Sequence, residues 1–204
     1  MKKQLKKRWL TGAAVCQAMF FASTASAVVI DFAGGTATLQ DGSTVVTNDN
    51  DGVFGVDHYI EDGVLVQFNG LIGSWGSYIG KYYWDGINPD EGAVIHTHWD
   101  ELQSITFSMQ DGSAFDLNYM DVTTNTGYDS WVTASNGATM LIPYSDWGFV
   151  DGMERVWFTS DFDNITSFTV TSNDAYCFGM DNFYINEPPP PNPDDPDTDE
   201  DGIS

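Results

Sequence analysis

Apolar residues recur at every second position along much of this chain, and this period constrains the fold more than any other feature. The pattern is clear in short runs such as "VLVQF", "SITFSM", "RVWFT" and "ITSFTVTS". Alternation with period two is typical of β-strands that bury one face, and β-branched and aromatic residues favour the same structure. Only "DELQSI" is compatible with a single helical turn. The pattern therefore predicts an all-β domain.

Turn residues divide these runs at short intervals. Asp62-Gly63, Asp111-Gly112 and Asn136-Gly137 each separate two apolar runs, and such dipeptides favour hairpin turns. Many short strands at this spacing predict a β-sandwich or a barrel. An open sheet would leave the second face of strands such as "RVWFT" uncovered, so we expect two packed antiparallel sheets.

The first 27 residues have the features of a secretory signal peptide. Five basic residues precede the apolar stretch "LTGAAVCQAMFFA", and Ala25-Ser26-Ala27 provides a cleavage site with small residues. The apolar stretch is too short to span a bilayer comfortably. We predict that the exported protein begins at Val28. A retained N-terminal anchor and a lipoprotein attached through Cys16 are the alternatives, the latter disfavoured by the bulky Val15 before it.

Removing this leader makes the chain strongly acidic. All 30 acidic residues follow Ala27, but only Lys81 and Arg155 of the 7 basic ones do, which gives a formal charge of −28. Such a surface repels nucleic acid and anionic membranes, so neither is an expected partner. Most of this charge is expected to be a solvating shell, as in salt-tolerant secreted proteins.

Residues 28–186 are expected to form one domain, which is long enough for a substantial core. Six of the 8 prolines lie beyond it in "PPPPNPDDP", so residues 187–204 are expected to be an extended, disordered linker. Cys177 is the one cysteine that follows the predicted cleavage site, so no disulfide is expected within residues 28–204.

Three phrases resemble a family of secreted bacterial β-sandwich domains. They are "YIEDGVLVQF", "SITFSMQDGSAFDLNYMDV" and "FGMDNFYI". These domains occur in surface proteins that often carry PEP-CTERM-type sorting tails, and their jelly-roll shape is similar to that of carbohydrate-binding modules. The resemblance implies an antiparallel two-sheet jelly-roll β-sandwich on an exported, extracellular or surface-attached protein.

The resemblance also implies a structural calcium ion where the first and last strands meet. Carried over by position, its ligands would be Asp31, Glu61, Asp181 and Asn182. Carboxylates from distant strands can supply part of the six to eight oxygens that Ca²⁺ prefers. In the alternative interpretation, Asp181 and Asn182 only cap a strand end and Glu61 is a turn residue.

The C-terminal "DPDTDEDGI" resembles the start of a thrombospondin type 3 calcium repeat. Asp197, Asp199 and Asp201 alternate and Gly202 follows, as in a calcium loop that lacks its later ligands. We expect the encoded protein to continue past Ser204 into such repeats, the alternative being a simple acidic tail.

Two histidines, His96 and His98, lie two positions apart and so on the same face of a strand. Together with His58 they would supply the three nitrogen ligands of a zinc site. The alternative is a half-exposed strand face with no metal.

A Gly-rich and aromatic-rich stretch, "GLIGSWGSYIGKYYWDGINPDEG", interrupts the strand pattern. Flat aromatic rings stack against the apolar faces of sugars, and nearby polar groups bond the hydroxyls. The candidate ligand-binding residues in and near this stretch are Trp75, Tyr78, Tyr82, Tyr83, Trp84 and Trp99. Alternatively, these rings cover the edge of the sandwich as additional core.

No catalytic motif stands out, since the chain has no nucleophile elbow, phosphate-binding loop or metalloprotease helix. We therefore expect a non-enzymatic module that binds an extracellular glycan or another surface polymer. A purely structural or adhesive calcium-binding module and a small secreted polysaccharide hydrolase are the alternatives. The sequence does not determine the oligomeric state.

Overall fold

The computed structural model describes residues 27–70, 76–81, 93–97, 102–124, 130–142, 154–172 and 178–186. These residues form fifteen β-strands and one short 3₁₀ turn at Ser160–Phe162. In chain order the strands are β1 (Val28–Ile30), β2 (Thr36–Leu39), β3 (Thr44–Val46), β4 (Gly52–Phe54), β5 (Val56–Glu61), β6 (Val64–Gly70), β7 (Ser77–Lys81), β8 (Ala93–Thr97), β9 (Leu102–Met109), β10 (Leu117–Thr124), β11 (Ser130–Ala134), β12 (Thr139–Ile142), β13 (Glu154–Trp157), β14 (Ser167–Ser172) and β15 (Phe178–Ile185).

The strands are arranged in two antiparallel sheets. Sheet 1 has the order β13-β10-β15-β8-β7-β4, and β1 also pairs with β15. Sheet 2 has the order β12-β11-β14-β9-β6-β5-β2-β3. The chain crosses repeatedly from one sheet to the other, for example from β9 to β10 and from β14 to β15. This architecture confirms the predicted all-β fold, an antiparallel two-sheet jelly-roll β-sandwich.

Aromatic side chains fill the space between the two sheets. The Phe183 ring of sheet 1 meets the rings of Phe107 and Phe168 of sheet 2 at centroid distances of 5.1 and 5.8 Å. Phe107 and Phe168 lie opposite each other on neighbouring strands and stack at 4.4 Å. All three are 0% exposed. The alternating sequence pattern directs these rings to the inner faces of the strands, and their burial there stabilises the folded state.

Two of the three predicted hairpins are present. Asp62-Gly63 has positive φ at both residues and joins β5 to β6, and Asn136-Gly137 lies in the connection between the paired strands β11 and β12. The prediction of a hairpin at Asp111-Gly112 is wrong. A turn forms there, with the Gly112 N–H bonded to the Met109 carbonyl, but β9 and β10 belong to different sheets.

Both predicted terminal segments lie largely or wholly outside the described residues. They are the signal peptide (1–27, described only at its last residue) and the Pro/Asp-rich segment (187–204), which includes Asp197, Asp199 and Asp201. Val28, the predicted first residue of the exported chain, is the first residue of β1. Within the described ranges, no helix is long and apolar enough to cross a membrane.

Candidate functional site

The first candidate site is built around Glu61, the last residue of β5. Tyr59 and Glu61 are two positions apart, so both face the core side of their strand. Glu61 is only 9% exposed. Its Oε2 accepts hydrogen bonds from the backbone N–H of Phe32 at 3.0 Å and from the Tyr59 hydroxyl at 2.9 Å. A buried acidic side chain is thus held in a fixed position beside the end of β1.

A second group of contacts fixes Tyr59 in turn. Its hydroxyl oxygen accepts a hydrogen bond from the Gly35 N–H at 3.1 Å and lies 3.0 Å from Thr47 Oγ1. A Cβ atom at position 35 would overlap this hydroxyl, so only glycine fits there. The network therefore preorganises the carboxyl group of Glu61 from the core side.

Asp31 completes a carboxyl pair with Glu61. Burial is the largest cause that raises the pKa of Glu61, and together with hydrogen bonding to Asp31 and the negative charge of Asp31 it brings this pKa to about 8. Asp31 Oδ1 itself accepts a hydrogen bond from the Ala33 N–H at 3.0 Å. At neutral pH Glu61 is therefore largely protonated, and a cation bound between the two carboxylates would replace its proton.

The other two predicted calcium ligands lie on the strand next to β1. Ile30 pairs with Phe183 in an antiparallel register, Asp31 directly follows Ile30, and Asn182 directly precedes Phe183. Asn182 is partly buried, and the side chain of Asp181 lies outside the described side chains. Among the described side chains, no three His, Cys, Asp or Glu residues form a group that could hold a metal. The structure thus brings Asp31 and Glu61 together and places β15 beside them.

The predicted zinc residues do not assemble in the described part of the chain. His58 lies in sheet 2, partly exposed, with Nδ1 2.8 Å from Asp57 Oδ2. His96 lies in sheet 1 and is 1% exposed. His98 is outside the described residues. The sheets separate the two described histidines, so a shared site of His58 and His96 is not formed.

Of the six aromatic residues predicted to bind a ligand, the structure describes only Tyr78. Tyr78 is 1% exposed and packs against Phe54 with ring centroids 4.7 Å apart. This burial does not favour a sugar-stacking role for Tyr78, which stays a prediction. The other five, Trp75, Tyr82, Tyr83, Trp84 and Trp99, lie outside the described residues.

A second candidate site lies on the outer face of sheet 1. Tyr119 of β10 lies directly opposite Trp157 of β13 on one side and Tyr184 of β15 on the other. The ring centroids are 4.6 Å apart for Tyr119 and Trp157, and 3.9 Å apart for Tyr119 and Tyr184. We call these three residues the aromatic row. Trp157 is its most accessible member, with 47% exposure.

An ion pair borders the aromatic row. Arg155 donates from Nε and Nη2 to the two carboxylate oxygens of Asp121, each at 2.8 Å. This pairing raises the pKa of Arg155 above its ordinary value. The guanidinium carbon also lies 4.4 Å from the centroid of the Tyr119 ring and 5.3 Å from that of Tyr184. Stacking and pairing together give the side chains of this surface a defined geometry.

Strand alternation explains why these side chains share one face. Arg155 and Trp157 are two positions apart on β13, and the intervening Val156 packs against the core. On β10 the core-facing Met120 separates Tyr119 from Asp121. The sequence shows an outward aromatic on each of these strands. It does not show that the three strands are neighbours, and for this reason the aromatic row was missed.

Comparison of the sequence with models of protein families and with curated proteins finds no match. The functional interpretation therefore depends on the two sites themselves.

Proposed function

We propose that this chain is an exported, non-enzymatic binding module that holds a neutral glycan against the aromatic row and is stabilised by calcium at the Asp31–Glu61 pair. The observation that carries the glycan proposal is the row of three adjacent rings on the outer face of a sandwich sheet, bordered by a fixed arginine–aspartate pair. This combination supplies the two kinds of contact that a sugar requires.

Trp157 provides the stacking surface in this proposal. Its exposed indole ring packs on the C–H face of a sugar, while Tyr119 packs against the indole and Tyr184 stacks on Tyr119 from the other side. The paired charges of Asp121 and Arg155 supply acceptors and donors for hydroxyl groups, and Nη1 of Arg155 lies outside the pair. Because both side chains are fixed before the ligand arrives, little conformational entropy is lost on binding.

The charge of the chain favours a neutral ligand. The exported chain has a formal charge of −28, which repels uronic acid polymers and sulfated glycans. Arg155 is one of only two basic residues beyond the leader, and Asp121 already neutralises it. A neutral oligosaccharide bears no such electrostatic penalty.

The calcium part of the proposal is supported by the carboxyl pair. Two carboxylates that face each other repel unless a proton or a cation lies between them, and Glu61 is held in place by Phe32 and Tyr59. Strand β15, with Asp181 and Asn182, runs next to β1 and would supply further oxygen ligands. A bound ion would tie the first and last strands together.

A glycan array tests the function. The exported chain, beginning at Val28, is compared with its Trp157→Ala variant, and Val46→Ala serves as a control because Val46 is an exposed apolar residue, at 63% exposure, on β3 of the other sheet. The proposal predicts binding to neutral oligosaccharides that Trp157→Ala abolishes and Val46→Ala leaves intact. Absence of any binding would favour a structural or adhesive calcium module, and turnover of a bound polysaccharide would favour the hydrolase.

A further inference from the structure

The outer face of sheet 2 differs from the rest of this acidic molecule. None of the residues in its five adjacent strands β12, β11, β14, β9 and β6 is acidic or basic. This is unexpected in a chain with 30 acidic residues. A solvating shell of carboxylates therefore covers other parts of the protein and leaves this face uncharged.

A continuous row of hydrogen-bonding side chains crosses the centre of this face. Neighbouring members are direct partners in the strand register, in the order Gln67, Thr106, Thr169, Thr133 and Thr139. Each is partly or fully exposed, while the residues before and after them on β9, β14 and β11 belong to the core. We call this row and its flanking outward side chains the hydroxyl face.

Hydrogen bonds between side chains hold part of this row in place. Asn69 Nδ2 donates to Thr106 Oγ1 at 2.9 Å and to Ser104 Oγ at 3.2 Å. The Oγ1 atoms of Thr106 and Thr169 lie 3.2 Å apart. Neighbouring strands are about 4.8 Å apart, so the row presents polar groups at regular intervals. A preorganised array of this kind can bind an extended ligand at many weak contacts.

Two exposed apolar side chains lie beside the row. Trp131 of β11 lies directly opposite Leu141 of β12, and they are 43% and 38% exposed. An indole ring next to several hydroxyls offers a stacking surface together with donors and acceptors. The hydroxyl face thus combines contacts to both the apolar faces and the hydroxyl groups of a sugar chain.

We propose that the hydroxyl face is a second binding surface, for an extended neutral polysaccharide. The charge distribution favours a neutral ligand on this face. The acidic molecule as a whole repels a polyanion, and a polycation would bind the carboxylates on other surfaces because the strands of the hydroxyl face have none. The inference takes its ligand class from the proposed function but uses different residues on the opposite sheet. A molecule with both surfaces would bridge two polysaccharide chains.

The test measures retention of the exported chain on three insoluble neutral polysaccharides: microcrystalline cellulose, chitin and a (1→3)-β-glucan. We expect retention on at least one of them, unchanged at high salt because no charged group takes part. Trp131→Ala and the double variant Thr133→Val/Thr139→Val should reduce retention at least tenfold. Thr159→Val, at an exposed threonine outside the strands, should not. Melting temperatures verify that all variants fold.

The outcomes separate this proposal from the binding of oligosaccharides at the aromatic row. Loss of oligosaccharide binding in Trp157→Ala with normal retention on the polysaccharide would support two independent surfaces. Retention that depends only on Trp157, or no retention on any of the three polymers, would overturn the second surface. So would a dimer in sedimentation that Thr133→Asp dissociates, because the face would then be an interface between two copies of the chain.

Discussion

Glu61 and Asp31 form a carboxyl pair in which burial and the neighbouring acid raise the pKa of Glu61 from 4.5 to about 8. The folded protein therefore binds one proton more than the unfolded chain between these two values. Stability contributed by this proton is fully present below about pH 4.5 and is lost as the pH rises through about 8. The relationship makes the pair a source of pH dependence as well as a candidate cation site.

The first prediction concerns this pH dependence without calcium. The free energy of unfolding, measured by denaturant titration in chelator, should fall from pH 5 to pH 9. Glu61→Gln keeps the shape of the protonated side chain, so the fall should be smaller in this variant. Repulsion among the many acidic side chains affects both proteins alike and cancels when their slopes are compared. Equal slopes in the two proteins would contradict the raised pKa.

The second prediction concerns calcium. The proposed calcium ion would compete with the proton on Glu61, so the increase in melting temperature from chelator to millimolar calcium should grow between pH 6 and pH 9. A ligand that binds only the folded state adds about 2.7 kcal/mol of stability at a hundredfold excess over its dissociation constant. Asp31→Asn should remove most of the effect. An increase of the same size in Asp31→Asn would place the ion elsewhere.

The third prediction concerns the ion pair beside the aromatic row. Arg155→Met leaves the largely buried Asp121 without its partner, and the unfolding free energy should fall by about 1–3 kcal/mol. Replacing both residues, in Asp121→Leu/Arg155→Met, should recover part of this loss because no unpaired carboxylate remains. The loss of unfolding free energy in the double variant is compared with the sum of the losses in the two single variants. A loss that equals or exceeds this sum would mean that the ion pair does not stabilise the protein.

The fourth prediction concerns the contact between the sheets. Phe183→Ala removes a ring that touches Phe32, Phe107 and Phe168, and should cost about 3–5 kcal/mol of unfolding free energy. Val29→Ala, at a 39% exposed position on the adjacent strand, should change it by about 0.5 kcal/mol or less. Similar costs at the two positions would mean that the sheets are not held together by this cluster.

The sequence was sufficient to predict the fold because local signals decide strands and tight turns. The alternation in "SITFSM" identifies β9 and its inward Phe107, and Asp62-Gly63 identifies a hairpin. The turn at Asp111-Gly112 was equally clear, but its flanking strands pair with other strands. A turn dipeptide shows where the chain changes direction. The sheet that each flanking strand joins depends on contacts between residues that are distant in the sequence.

The candidate sites were less predictable for the same reason. Asp31 and Glu61 were identified from a resemblance of short motifs, and the structure brings them together. Tyr119, Trp157 and Tyr184 come from three strands that are distant in the sequence, and only the sheet order makes them adjacent. Tyr78 is a local aromatic in a Gly-rich stretch, yet it is buried. Exposure of a ring depends on which strands cover it.

The central claim, that a neutral glycan binds at Trp157, is tested most directly by NMR of residues 28–204 with labelled tryptophan side chains. Each indole N–H gives one signal, and Trp157→Phe and Trp131→Phe assign two of them. On addition of a neutral oligosaccharide from the array, the Trp157 signal should shift in proportion to saturation, and a separate shift of the Trp131 signal would report binding at the hydroxyl face. A bound oligosaccharide that leaves the Trp157 signal unchanged would contradict the account.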